Sequence, residues 1–158
     1  MLDRIDVALV RALQKDARQS NKELANSVGL APSTTHGRIV RLANDNVIQG
    51  FHARVDADAV GIGLQAMVFL RMATHGVEVL GTTWSTLIER EEVATAWYLG
   101  GEDDVVLHVA VRNTRHLQDF ITHVLGGMKT IARVRTEIVF EHHLAQLPVY
   151  TDSDTGET

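Results

Sequence analysis

Over the first sixty positions, apolar residues recur at the three- and four-residue intervals of amphipathic helices. Ile5, Ala8, Leu9, Ala12 and Leu13 share one stripe and predict a first helix over residues 4–15. Asp3 is placed to cap it, with Leu2 and Val7 at the two positions of a hydrophobic staple. Ser20-Asn21-Lys22-Glu23 is a capping box, and the helix it opens, residues 21–28, turns Leu24, Ala25 and Val28 inward. Gly29 stands where a helix ends in a left-handed residue, and Pro32 stands at the first position of a third helix over 32–44. Thr35, Ile39 and Leu42 face the core from that helix. Residues 47–55 read as a strand-like exit, and 57–63, with two glycines, as a hinge.

Beyond the hinge the rhythm changes. Residues 66–70 and 105–111 are β-type apolar runs, with 93–99 and 134–140 as further strands. Leu80, Trp84, Leu87 and Ile88 recur at helical spacing between the first two strands, and Leu117, Phe120, Ile121, Val124 and Met128 between the last two. A tight loop, residues 100–104, joins the middle pair. The order βαββαβ is the split βαβ, or ferredoxin-like, arrangement. The expected architecture is therefore α+β: a three-helix helix-turn-helix domain over 1–60 and a ferredoxin-like domain over 61–147. A disordered tail is expected over 148–158, where TDSDTGET has no apolar residue.

Residues 66–70 and 105–107 are apolar at both parities, whereas a sheet with helices on one face should alternate. The second face needs a cover, and a copy of the same sheet predicts a C2 homodimer with an isologous interface. The other reading, a C-terminal segment folded over the sheet, leaves few residues after Phe140 to do it.

The chemistry sits on the third helix. Helix, short glycine turn and helix form the helix-turn-helix unit, whose second helix enters the major groove. Ser33, Thr34, His36, Arg38 and Arg41 are the expected DNA-reading residues on double-stranded DNA. Small hydroxyls near the helix start can reach base edges or phosphates, and arginine can grip guanine or phosphate with two parallel bonds. An ordinary helical hairpin with solvated arginines is the bland reading. The capping box, turn glycine, helix-opening proline and hydroxyl-then-arginine order together favour DNA contact.

The net charge of −5 matters only through its distribution. Residues 1–60 hold eight Lys/Arg against seven Asp/Glu, and residues 61–158 hold seven against thirteen. Screening beyond roughly 8–10 Å makes phosphate attraction local, so an acidic second half does not exclude DNA. It predicts modest non-specific affinity with steep salt dependence. Cysteine is absent, which removes disulfides and thiolate metal sites. The chain opens directly in a charged amphipathic helix and holds no apolar run of the ~18–20 residues that span a bilayer. A cytoplasmic protein without membrane association is expected.

Eight histidines raise the question of metal or catalysis. His142 and His143 would leave a strand on opposite faces. His116 and His123 lie about 10 Å apart by helix rise. His108 sits in an apolar strand as a core or interface residue. No catalytic triad order, phosphate-cradling loop or paired ligand spacing occurs, so no metal, cofactor or catalytic residue is expected.

LDRID at the start, SNKELANSVGLAPST across the turn, RLANDNVIQGF after the third helix and GGEDD-VVLHVAV in the sheet domain resemble the leucine-responsive regulatory protein and AsnC family, the feast/famine transcription factors. The resemblance runs from Leu2 to about Leu147. It implies a ferredoxin-like domain that dimerises, often assembles dimers into octamers, and binds a free amino acid at subunit interfaces to adjust DNA binding. Gly101 and Asp104 match the family's effector loop: glycine permits close backbone approach and a carboxylate can hold an ammonium group. Thr136 on the last strand is expected to offer a hydroxyl across the interface. Asp104 reads equally well as a turn residue bonding its own backbone. The chain departs from the family at Gly37 and Val40, where basic side chains are common, and at Ala31, which cannot cap.

A rival from another class shares this two-domain resemblance, the sirohaem decarboxylases. Arg71, Arg112, Arg133 and Arg135 with His108 could be recruited to hold tetrapyrrole carboxylates, although the acidic second half disfavours a polyanion. A ligand-binding or assembly module with a vestigial DNA helix is a further alternative.

Overall fold

A computed structural model of the chain describes residues 2–73 and 77–150, with backbone alone for 77–80. They fall into two units, Met1–Arg54 with His143–Thr158, and Val55–His142.

The first unit holds α1 (Arg4–Lys15), α2 (Asn21–Val28) and α3 (Pro32–Asn44). Asp3 caps α1: its carboxylate accepts from the Asp6 amide at 2.8 Å, and the Asp3 amide donates to the Asp6 carboxylate at 3.3 Å. Ser20 and Glu23 make the same reciprocal pair at the start of α2. Gly29 ends α2 at φ 67°, the left-handed conformation in which a Cβ is costly. Helix α3 starts at Pro32, and Ala31 supplies no side-chain cap. Leu9, Leu13 and Leu24 form the centre of the unit, with Ile5, Ala12, Val28 and Ile39 packed against them. Thr35 is fully buried, and its hydroxyl donates to the Ala31 carbonyl at 3.2 Å, which satisfies it within the helix.

Three features differ from the sequence expectation. Residues 47–55 are not a strand, and Phe51 and Val55 are exposed. An extended segment becomes a strand only when a neighbour supplies ladder hydrogen bonds, and among the described residues none does. The hinge contains a short 3-10 turn, Asp58–Val60, closed by Gly61 at φ 82°. The chain beyond His143 groups with the first unit. The Arg11 guanidinium donates to the Val149 carbonyl at 2.7 Å, and the Gln14 amide to the Leu147 carbonyl at 3.2 Å. The start of the expected tail is thus held, and residues 151–158 lie outside the described residues.

The second unit is a four-stranded antiparallel sheet in the order β2-β3-β1-β4, from β1 (Leu64–Met72), β2 (Val93–Tyr98), β3 (Val105–Val111) and β4 (Ile131–Ile138). Helix α4 (Val77–Ile88) links β1 to β2, and α5 (Thr114–Asp119) runs into a π-helical turn, Phe120–Leu125, before β4. This is the ferredoxin-like arrangement. Its core joins Ala66, Val68 and Leu70 of β1 and Leu107 and Val109 of β3 to Leu87, Leu117, Phe120 and Leu125 from the helices.

The helical apolar pattern is only partly realised. Ile88, expected inward, is exposed, and Leu80 lies outside the residues whose side chains are described. Leu125, eight positions after Leu117, falls on the same helical stripe and is buried with it. The π turn brings Phe120 and Leu125, five apart, onto that face as well. Strand β4 starts and ends earlier than expected, so His142 lies beyond it.

Both tryptophans, Trp84 and Trp97, belong to the second unit, so their fluorescence reports its unfolding alone. Leu107→Ala empties a fully buried position at the centre of the sheet. It should lower that unit's stability by about 2–5 kcal/mol in urea titrations, with Ile88→Ala within about 0.5 kcal/mol of the parent. A Leu107→Ala cost no larger than that of Ile88→Ala would contradict the core described here.

Candidate nucleic-acid interface and effector loop

On α3 the side away from the core carries Ser33, Thr34, His36, Gly37 and Val40, all exposed. A Cβ built on Gly37 meets nothing within 4 Å, so the glycine leaves a bare strip of backbone between the hydroxyls and the next turn. The two arginines are arranged differently from the hydroxyls. Arg38 turns toward α1, where its Nη1 lies 2.6 Å from the Asp3 carboxylate and 2.8 Å from Asp6. Arg41 places Nη2 on the other Asp6 oxygen at 2.5 Å and remains about half exposed, at 47%. Asp6 itself is 1% exposed. A buried carboxylate is tolerated when it is fully hydrogen-bonded, and Asp6 receives both guanidiniums and the Asp3 amide. Burial pushes its carboxyl up, but the Arg41, Arg38 and Asp3 hydrogen bonds outweigh burial and hold it below the usual carboxylate range. Asp3 is lowered too, first by the Asp6 amide and then by Arg38. Of the five expected DNA-reading residues, Ser33, Thr34 and His36 therefore lie on one open face, Arg41 lies at its edge, and Arg38 is tied to α1.

In the second unit, Asp104 is buried. Its Oδ2 accepts from the Met72 amide at 2.7 Å, its own amide donates to the Leu70 carbonyl at 2.9 Å, and its carbonyl accepts from the Leu99 amide at 2.8 Å. It thus joins the ends of β1, β2 and β3. Gly101 lies exposed in the preceding bend, with nothing within 4 Å of a built Cβ. Thr136 pairs with Val68 on the helix-covered side of the sheet, two strands from β3 on β4. Within one chain the structure does not bring Thr136 to the loop of Gly101 and Asp104.

The opposite face of the sheet has a rung that crosses all four strands, Trp97–Val106–Phe69–Arg135. The Arg135 guanidinium lies 3.8 Å from the Phe69 ring centre and pairs with Asp103 at 3.0 Å and with Glu137. Arg133 lies 3.7 Å from Glu102. His108 on this face meets Gln65 at 2.8 Å, with the His142 ring 6.0 Å away. Burial, and then His142, lowers the His108 pKa from its usual value. Among the described residues no group of three or more His, Asp or Glu could hold a metal ion, and no helix is long and apolar enough to cross a membrane.

An AsnC-type helix-turn-helix domain matches residues 2–43, and an Lrp/AsnC ligand binding domain matches residues 65–148. The chain belongs to the Lrp/AsnC family. It is similar to the HTH-type transcriptional regulator AldR of Mycolicibacterium smegmatis, 40% identical over 141 residues that make up 89% of this chain and 82% of that protein. AldR of Mycobacterium tuberculosis is 36% identical over 94% of this chain and 83% of its own length. Among solved structures, an AsnC family regulator from Agrobacterium tumefaciens superposes with a TM-score of 0.84 at 27% identity, covering 93% of this chain and 97% of that one. A regulator from Neisseria meningitidis, solved as an L-Met complex, shares the fold with a TM-score of 0.85 at 23% identity over 94% and 97% of the two chains. The chain is a DNA-binding transcriptional regulator with a helix-turn-helix domain and a ligand-binding domain.

In this Lrp/AsnC regulator, sequence reasoning passed over Asp6 as a functional residue. The signal was present: two acids three apart at the start of α1, and two arginines three apart on α3, each pair sharing a helix face. A charged residue on an otherwise apolar stripe is itself a flag for a buried ion pair.

Asp6 has a folded-state pKa below its unfolded value near 3.9, so its contribution is present above about pH 4 and is lost as pH falls through the lower folded value. In Asp6→Asn, urea unfolding followed by far-UV circular dichroism should show a first unit weaker by about 1.5–3 kcal/mol at neutral pH. The same variant should show a shallower loss of stability below about pH 4 than the parent. Parallel pH profiles in parent and variant would contradict the ion-paired state of Asp6.

Proposed function

We propose that this regulator reads double-stranded DNA through Ser33, Thr34 and His36 at base edges, with Arg41 reaching a base from the edge of the same face. Arg38 holds α3 against α1 in this reading. The observation that carries it is the open strip around Gly37, flanked by hydroxyls and bare of any neighbouring side chain. The protein acts in the cytoplasm as a C2 homodimer, built on the rung of Trp97, Val106 and Phe69 and able to assemble further toward an octamer. Trp97 is 44% exposed, and such an apolar strip on an open sheet face favours a cover. A dimer implies two half-sites about one helical turn, or a multiple, apart.

A free amino acid is the proposed effector, bound where the loop of Gly101 and Asp104 meets a second subunit that offers Thr136. The N. meningitidis regulator of the same fold was solved with L-Met. An effector acts through its different affinity for two states, so it shifts DNA affinity or assembly. This reading is favoured over a tetrapyrrole decarboxylase. Of the four arginines such a substrate could recruit, Arg133 and Arg135 are already matched by Glu102, Asp103 and Glu137.

Gly37→Glu sets a carboxylate in open space on the DNA face. It should abolish duplex binding in a mobility shift while circular dichroism stays that of the parent. Undiminished binding would place the DNA contact elsewhere.

Calorimetry against the twenty amino acids should find a ligand whose affinity drops at least tenfold in Gly101→Ala, a change the isolated chain accommodates without contact. Equal affinity in parent and variant would move the site away from this loop.

A further inference from the structure

Helix α3 carries two cations beside its open face, Arg38 and Arg41, and both are already engaged by carboxylates of α1. Asp3 and Asp6 match the two guanidiniums one for one, so the quartet has no net charge. A recognition helix ordinarily draws sequence-independent affinity from such side chains, which displace counterions condensed on the phosphates. Here the arginines have their counterions built in. Asp6 is 1% exposed, and solvent ions cannot reach it to take the place of Arg41. A phosphate that approaches Arg41 competes with an oxygen already 2.5 Å from its Nη2. The Arg41 side chain stays about half exposed while Asp6 holds one end of its guanidinium, which suits one directed contact better than a diffuse attraction.

We propose that Asp6 is a positioning residue that sets sequence discrimination: it withholds the charge of Arg38 and Arg41 from the phosphate backbone and leaves the choice of site to Ser33, Thr34, His36 and the pre-set edge of Arg41. This rests on the reading of α3 as the DNA-contacting helix. It goes beyond that reading by assigning a role to a residue that touches no DNA.

The full-length parent, Asp6→Asn, Asp6→Glu and the double variant Asp6→Asn with Arg41→Gln are each titrated with a random-sequence duplex. Salt is varied between about 50 and 200 mM, and each slope of log affinity against log salt is compared. Release of one arginine to phosphate steepens the slope by about 0.9, and release of both by about 1.8. The expected result is a steeper slope and tighter low-salt binding in Asp6→Asn, a return of about 0.9 in the double variant, and the parent slope in Asp6→Glu. A residue that only stabilises the fold would weaken binding in Asp6→Asn without steepening the slope, and that result overturns the proposal. If Asp6→Asn does not fold, Arg41→Gln serves instead: Asp6 already withholds Arg41 from the backbone, so the parent slope supports the proposal and a slope shallower by about 0.9 overturns it. Gly37→Glu separates the two failures. If it leaves duplex binding intact, the α3 reading falls and the proposal with it. If it abolishes binding while Asp6→Asn keeps the parent slope, only the proposal falls.

Discussion

A carboxylate taken out of water must be met by charge and by hydrogen bonds, and the DNA-binding half of this regulator is arranged around one that is met twice. Asp6 joins the cap of α1 to two arginines one turn apart on α3. Two attachments on one helix fix its rotation about its own axis, which a single apolar contact does not. Because Arg38 and Arg41 are drawn to α1, Ser33, Gly37 and the exposed histidine are turned outward. Buried ion pairs add little net stability over well-packed apolar residues of the same volume. What this one supplies is orientation.

The second half depends on a different constraint. Strand β1 pairs on both edges, with β3 and β4, and cannot shift register without moving the core residues Ala66, Val68 and Leu70 to the other face. That fixed register carries two rows across the sheet. One row, Ala96–Leu107–Val68–Thr136, lies under the helices, and the other, Trp97–Val106–Phe69–Arg135, lies on the open face. The loop of Gly101 and Asp104 is attached to the same frame through the Met72 and Leu70 backbone. A displacement of this loop therefore bears on the ends of β1, β2 and β3 together.

Local signals carried most of the architecture. The caps at Asp3 and Ser20, the left-handed Gly29 and Pro32 mark helix boundaries that depend on a few neighbouring atoms, and they stand where the chain places them. The four strands follow from short β-type apolar runs, which are equally local. What was illegible depends on partners distant in sequence. The ion pair of Asp6 and Arg41 spans 35 residues, and that of Asp103 and Arg135 spans 32. No window of periodicity contains both members. Asp104 illustrates ambiguity that is not distance: its carboxylate suits an ammonium or a backbone amide, and the fold brings the Met72 amide to it.

The C-terminal stretch is held to α1 in a manner with its own evolutionary meaning. Arg11 and Gln14 donate to the carbonyls of Val149 and Leu147, groups that every residue type possesses. Leu144, Leu147 and Tyr150 stay largely exposed beside those bonds. The attachment therefore recognises where the chain runs and is indifferent to which side chains it displays. Descendants of this gene can rewrite the outward surface of the segment, residue by residue, without loosening it from the helix beneath.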